Sequence, residues 1–243
     1  MKTAIDVQDL WKSYSGIPAV RGMSMRVAQG EVFGLLGANG AGKSTAIECI
    51  LGTKKADRGS AAILGLDPQQ QRSQLFEQVG VQFQEASYPD KIKVGELCEE
   101  TCCLYRKAAD YHFLLNQLGL TEKKKNFVSE LSGGEKQRLF IVLALIPNPK
   151  VVFLDELTTG LDPRARREVW KCLLEMKKAG LSIFLTSHFM EEVELLCDRV
   201  AVLKKGDVVF CGTVNEMIRK SPYERLEQAY LWFTDEEEEI ENL

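Results

Sequence analysis

Residues Gly37 to Thr45 read Gly-Ala-Asn-Gly-Ala-Gly-Lys-Ser-Thr, the G-x-x-x-x-G-K-[ST] spacing of a loop that wraps phosphate. Each residue type has a task there. Gly37, Gly40 and Gly42 let successive backbone N–H groups converge on phosphate oxygens, and Ala38, Asn39 and Ala41 belong to the same cradle. A helix opening at Lys43 adds the partial positive charge of its N-terminus. Lys43 brings a point charge to the β- and γ-phosphates, and the Ser44 hydroxyl, with Thr45 beside it, can ligate Mg²⁺. This chemistry is that of a nucleoside triphosphatase.

Such a loop needs a carboxylate to hold the metal from the end of a neighbouring strand. The run Lys-Val-Val-Phe-Leu-Asp-Glu, residues 150–156, delivers Asp155 with Glu156 beside it. Asp155 would hold Mg²⁺ through water, while Glu156 orients and deprotonates the attacking water. The competing reading is a pair of surface acids at a strand end. A second apolar run, residues 181–188, ends in His188. Functional groups of parallel sheets gather at the carboxyl ends of strands, so His188 is read as a hydrogen-bond partner of the γ-phosphate or its water. A packed or exposed bystander is the alternative. His112, on a helical stretch without partners, reads as structural.

A second helix start in the same chain looks equally suited to an anion. Ser129 to Arg138 read Ser-Glu-Leu-Ser-Gly-Gly-Glu-Lys-Gln-Arg, with Ser132, Gly133, Gly134 and Glu135 opening a helix.

The elements that must position these groups follow from hydrophobic period. Residues 3–31 alternate apolar and polar types between turn residues, which predicts short antiparallel strands. Residues 31–37, 79–84 and 150–156 are short, nearly continuous apolar runs, the mark of strands buried on both faces. Helical spacing runs from Lys43 to Gly52, and over 94–120 with Leu97, Leu104, Leu114, Leu115 and Leu118 inward. It returns in the stretch after Ser132, from Asp162 to Gly180, and over 189–197. A hairpin turning at Gly206 follows. Strand and helix alternating at this spacing predict an α/β fold with a mostly parallel sheet. An antiparallel β subdomain precedes it, and a helical subdomain over about 90–146 interrupts it. A single domain is placed at 1–231, and 232–243 reads as an acidic, solvated tail.

Bulk properties narrow the function classes. A chain of 243 residues, 45% hydrophobic and 27% charged, is an ordinary globular one with ample core. Its net charge of −4 lacks the basic excess of a broad nucleic-acid surface, so no nucleic-acid partner is expected. Seven cysteines, odd and scattered, behind a start without a signal-peptide pattern, point to reduced thiols in the cytoplasm. Cys98 and Cys102 are i,i+4 neighbours, for which ordinary helix packing outweighs metal binding. The longest apolar run, residues 139–147, is about half of what spans a bilayer. Work at a membrane would go through a partner.

Taken in order, the stretches GANGAGKST, VQFQEASYP, LSGGEKQR, VVFLDE, TGLD and LTSHFMEEVELLCDRVAVLKKG resemble the ATP-binding subunit of ABC transporters, over roughly residues 3–231. The resemblance implies a P-loop NTPase of the ABC type and an active site divided between two chains, which explains the second anion site. ATP would lie on the phosphate loop of one copy, with Ser132, Gly133, Gly134 and Glu135 of the other against its γ-phosphate. The second copy would be identical or a homologous ATPase subunit. Tyr14 falls where the family stacks a ring on adenine, unless it is a plain surface tyrosine. Gln84 corresponds to a glutamine reaching Mg²⁺ and the γ-phosphate, and Asp162 would sit at the dimer seam. Glu85 to Lys93, and the helix after it, would meet a transmembrane permease subunit, placing the chain peripherally on the cytoplasmic face of the cell membrane.

The wording of the motifs resembles the branch that serves drug, lipid or antibiotic exporters. A soluble ABC-type ATPase, for example one of iron–sulfur assembly, is the alternative. One departure stands out: the family usually carries proline after the strand-end glutamate, and here it is Leu157.

Overall fold

The computed structural model describes residues 2–82, 88–89 and 91–235. In chain order come β1 (Thr3–Tyr14), β2 (Ile17–Ala28), β3 (Val32–Leu36), α1 (Lys43–Ile50), β4 (Arg58–Ile63), α2 (Arg72–Phe76) and β5 (Val79–Gln82). Then follow α3 (Val94–Cys103), α4 (Tyr111–Gln117), α5 (Gly133–Leu145), β6 (Val151–Leu154), α6 (Pro163–Lys178) and β7 (Ser182–Thr186). The chain continues through α7 (Met190–Leu196), β8 (Arg199–Lys204), β9 (Asp207–Thr213), α8 (Val214–Lys220) and α9 (Leu226–Thr234). This is the expected α/β architecture of parallel and antiparallel strands. The domain expected over 1–231 divides into two compact units, one of residues up to Leu75 together with those from Phe184 on, the other of Phe76–Ile183.

In the first unit, β2, β1 and β4 form an antiparallel sheet in that order. The strands β7, β3, β8 and β9 lie side by side, with β3 parallel to β8 and β9 antiparallel to it. Every residue of β3 is buried, as its unbroken apolar run requires, and the Phe33 ring stacks on Phe184 at 5.8 Å. The hairpin of β8 and β9 turns at Lys205 and Gly206, both at positive φ (49° and 90°), the pairing that a two-residue turn of the right twist demands.

The end of the chain is built into this core. Leu226 and Ala229 of α9 pack with Val193, Val200, Val202, Phe210 and Met217, and the rings of Phe233 and Phe210 meet at 4.9 Å. The helix therefore continues to Thr234, past the boundary expected at 231. The acidic run begins just beyond, and its change of composition drew that boundary too early. Helix α8 is started by a reciprocal cap: Thr213 Oγ1 accepts from the Glu216 N–H, and the Glu216 carboxylate accepts from the Thr213 N–H. Thr213→Ala is expected to cost about 1 kcal/mol, read as a lowered denaturant midpoint at unchanged slope. An unmoved midpoint would show the cap to be idle.

In the second unit β5 and β6 run parallel, Gly80 opposite Val152, and the start of β7 lies beyond β6. Helix α5 crosses so near that a Cβ added at Gly80 would lie 1.8 Å from the Ala144 carbonyl oxygen. Only a residue without a side chain permits that approach. The helical block expected over about 90–146 supplies α3, α4 and α5, and shares its unit with β5, β6 and α6. Leu97, Leu114, Leu115 and Leu118 are buried there, but Leu104 is 74% exposed. Helix α3 stops at Cys103, so Leu104 is its cap and no longer on the inward stripe. Cys98 is buried, and desolvation pushes its thiol up to about 12. A thiol so hard to ionise is a poor metal ligand. Among the described residues no helix is long and apolar enough to cross a membrane.

Candidate active site

The first unit carries the phosphate loop. Strand β3 ends at Leu36, the loop follows, and α1 begins at Lys43 with Gly42 as its N-cap in left-handed conformation and no side chain capping it. Ala38, Asn39, Gly40 and Ser44 are exposed, while Gly37, Ala41 and Lys43 are buried. The Lys43 ammonium donates to the carbonyls of Gly37 (2.7 Å) and Ala38 (3.1 Å), so its charge is turned inward on the loop that bears it. The loop is braced from outside by the Gly206 N–H, which donates to the Ala41 carbonyl at 3.0 Å.

Two other expected residues belong to this unit. Tyr14 ends β1 with its ring 42% exposed, and the ammonium groups of Lys12 and Lys54 each lie 5.5 Å from the ring centroid. A partly exposed tyrosine with two cations over its ring is of a chemistry that suits a base joined to phosphates. Asp57 holds Lys12 at 2.8 Å, and that ion pair, before any other cause, raises the Lys12 pKa. His188 is exposed just past the carboxyl end of β7, its ring 4.4 Å from that of Phe189. The buried Ser187 hydroxyl fixes the turn by accepting from the Phe189 N–H at 3.0 Å.

The second unit carries the acids and the second helix start. Asp155 and Glu156 follow directly on β6. Asp155 is buried, and its N–H donates to the Gln82 carbonyl at 3.1 Å. Glu156 is partly exposed and stands at φ +51°, a left-handed conformation that costs a side-chain-bearing residue about 1–2 kcal/mol. The two adjacent acids thus differ in burial, Asp155 being buried and Glu156 partly exposed.

At the start of α5, Ser132 and Gly133 are exposed. Ser132 Oγ accepts from the Glu135 N–H (3.3 Å), and the Glu135 carboxylate accepts from the Ser132 N–H (2.9 Å) and pairs with Lys123 (3.0 Å). The Ser132 N–H, followed by Lys123, holds the Glu135 carboxyl below its ordinary pKa. Its stabilising effect is therefore present above the ordinary carboxylate range and lost as pH falls through the lowered value. Asp162, expected only at a dimer seam, is exposed and caps α6: its Oδ1 accepts from the N–H groups of Arg164 (2.9 Å) and Ala165 (3.0 Å). An aspartate before Pro163 carried that signal openly.

Some expectations fall elsewhere. Gln84, and residues 85–87 and 90 of the stretch Glu85 to Lys93, lie outside the described residues. His112 is not without partners, because its ring stacks on Tyr111 at 4.1 Å. Sequence reasoning also passed over Gln137, whose side-chain amide donates to the carbonyls of Leu157 (2.9 Å) and Glu156 (3.4 Å). Its partners are backbone atoms 19 and 20 residues away, which residue type cannot announce.

The loop fits a triphosphate. Its exposed backbone opens onto an uncapped helix start, and a Cβ at Gly42 would come within 2.1 Å of the Ala19 carbonyl oxygen. Among the described residues, no group of three or more His, Cys, Asp or Glu could hold a metal by itself. Magnesium suits such a chain, since it binds through one or two protein oxygens together with substrate phosphates. The Ser44 hydroxyl and the Asp155 carboxylate are of the right chemistry.

A family model described as ABC transporter matches residues 20–159, more than half of the chain. The Nod factor export ATP-binding protein I of Rhizobium etli is 40% identical over 227 residues, covering 89% of this chain and 70% of that protein. The daunorubicin/doxorubicin resistance ATP-binding protein DrrA of Streptomyces peucetius is 34% identical over 221 residues, 88% of this chain and 66% of that protein. The chain thus spans about two thirds of the length of such relatives. A solved ATP-binding subunit of an ABC transporter superposes with a TM-score of 0.88 at 27% identity, covering 96% of this chain and all of that one.

Proposed function

The chain belongs to the ABC transporter family of ATP-binding subunits, whose members hydrolyse ATP to drive transport, and from that premise we propose that two copies, or this chain and a homologous subunit, close around two MgATP and power a separate permease in the export direction. The proposal rests on one observation above the others. A single chain carries two helix starts suited to an anion, at α1 behind the glycine loop and at α5 behind Ser132. A nucleotide bound by one copy would occupy the first and reach the second on its partner.

The roles divide accordingly. Lys43 and the loop amides bind the phosphates, and Tyr14 receives the adenine. Ser44 and Asp155 would hold Mg²⁺, with Gln84 as a further ligand. The metal, when bound, neutralises charge that builds on the transferring phosphoryl group. Glu156 accepts the proton of the attacking water, and His188 donates to the γ-phosphate. Ser132, Gly133 and Gly134 meet the γ-phosphate held by the other copy. Asp162 stands at the seam, and Glu85 to Lys93 face the permease on the cytoplasmic side of the membrane. Export by one named relative and drug resistance conferred by the other support the direction of transport. The soluble assembly ATPase is disfavoured, because these relatives serve export and resistance.

Mixing two defective variants tests the division of the site. Lys43→Ala spoils the loop and Ser132→Arg spoils the second helix start, so each alone should be nearly inactive. Together they form one intact pocket per mixed pair, and phosphate release should return to at most about a quarter of the parent rate by the statistics of two-fold pairing. A mixture no more active than its parts would overturn the shared pocket.

A further inference from the structure

We propose that Gln137 is a positioning residue: from the second turn of α5 it fixes the backbone from which Glu156 acts. The inference rests on the reading of Glu156 as the base. Glu156 sits at φ +51°, and a residue with a side chain stays in that region only where its surroundings over-determine it. The residue after it is Leu157, whose φ no ring constrains. Something else must hold the two peptides that follow Glu156. The two amide hydrogens of Gln137 Nε2 are placed for this, reaching the Leu157 carbonyl at 2.9 Å and the Glu156 carbonyl at 3.4 Å.

The clamp is itself anchored. One residue on, Arg138 donates to the Leu118 carbonyl at 3.0 Å and pairs with Glu168 at 3.5 Å, which ties α5 to the rest of its unit. Gln137 also lies four and three residues beyond Gly133 and Gly134, on the same face of the helix. The helix start that would meet a partner's nucleotide is thus one turn from the amide that holds the backbone carrying Glu156.

Gln137→Met keeps length without donors, and Gln137→Glu replaces donors with acceptors. In the full chain both are expected to lower kcat by about 10–100-fold, the effect of a base displaced by about an ångström, with KM for ATP and thermal midpoint unchanged. A side chain that only supports the fold would move the midpoint instead. In a Glu156→Gln background, single-turnover phosphate release should fall no further when Gln137→Met is added, because the group being positioned is already gone. Equal losses in both backgrounds would overturn the proposal, as would full kcat in Gln137→Met and Gln137→Glu beside an inactive Glu156→Gln. If Glu156→Gln itself turned over like the parent, the reading of the base would fall and not the clamp alone.

Discussion

Glu156→Gln is expected to bind ATP as the parent does while turnover falls by about 10²–10⁴-fold, the usual contribution of a positioned base. The substitution suits the local geometry. Glutamine is the same size and carries the same cost at φ +51°, so the turn and its two bonds from Gln137 are preserved. What is lost is the capacity to take a proton from water. Because the nucleotide is bound but not consumed, ATP should also hold the paired copies together, seen as a lasting shift to the dimer on size exclusion. Asp155→Asn would behave differently. Asp155 is buried and reads as a metal-side group, so its loss should weaken the response to Mg²⁺ before anything else. Phosphate release at the parent rate from Glu156→Gln would remove Glu156 as the base.

The parts of this site that were legible are those whose chemistry is local in sequence. The loop from Gly37 to Thr45 needs its glycines and lysine within nine consecutive residues, and a buried apolar strand running into Asp155 and Glu156 can be read without knowing its neighbours. The start of α5 was legible for the same reason, because a cap and its glutamate are three residues apart. What was not legible depends on a backbone conformation or on a distant atom. Nothing in the letters 151–157 says that Glu156 turns left-handed, and nothing marks two carbonyls there as partners of Gln137. The ammonium of Lys54 beside Tyr14 arrives from 40 residues along the chain. Leu104 failed for a different reason: periodicity places a residue on a face only while the helix lasts, and α3 ends one residue before it. Asp162 shows the converse. Its aspartate-proline pair was readable as a cap, and resemblance to a family drew attention to a seam instead.

Gly42→Ala is expected to lower kcat/KM for ATP by about 100-fold, with nucleotide affinity falling in parallel. Two costs combine at this position. An alanine at φ +107° carries left-handed strain of about 1–2 kcal/mol, and its Cβ would stand 2.1 Å from the Ala19 carbonyl oxygen. That oxygen belongs to β2 and cannot swing aside as a side-chain end would. Nor can the loop retreat freely, because the Ala41 carbonyl accepts from Gly206, and the Gly206 carbonyl accepts from Arg21 of β2 at 2.9 Å. Relief must come from moving Gly42 and the start of α1 together, which carries Lys43 away from the carbonyls of Gly37 and Ala38. A shift of about an ångström in groups that grip the transferred phosphate is enough for the stated loss. Gly40→Ala separates the two costs, since Gly40 has φ +80° but no atom within 4 Å of an added Cβ. It should show the strain as a modest loss of thermal stability while retaining most nucleotide binding. If the two variants bound ATP equally well, close packing of β2 against the loop would not be what sets the phosphate cradle.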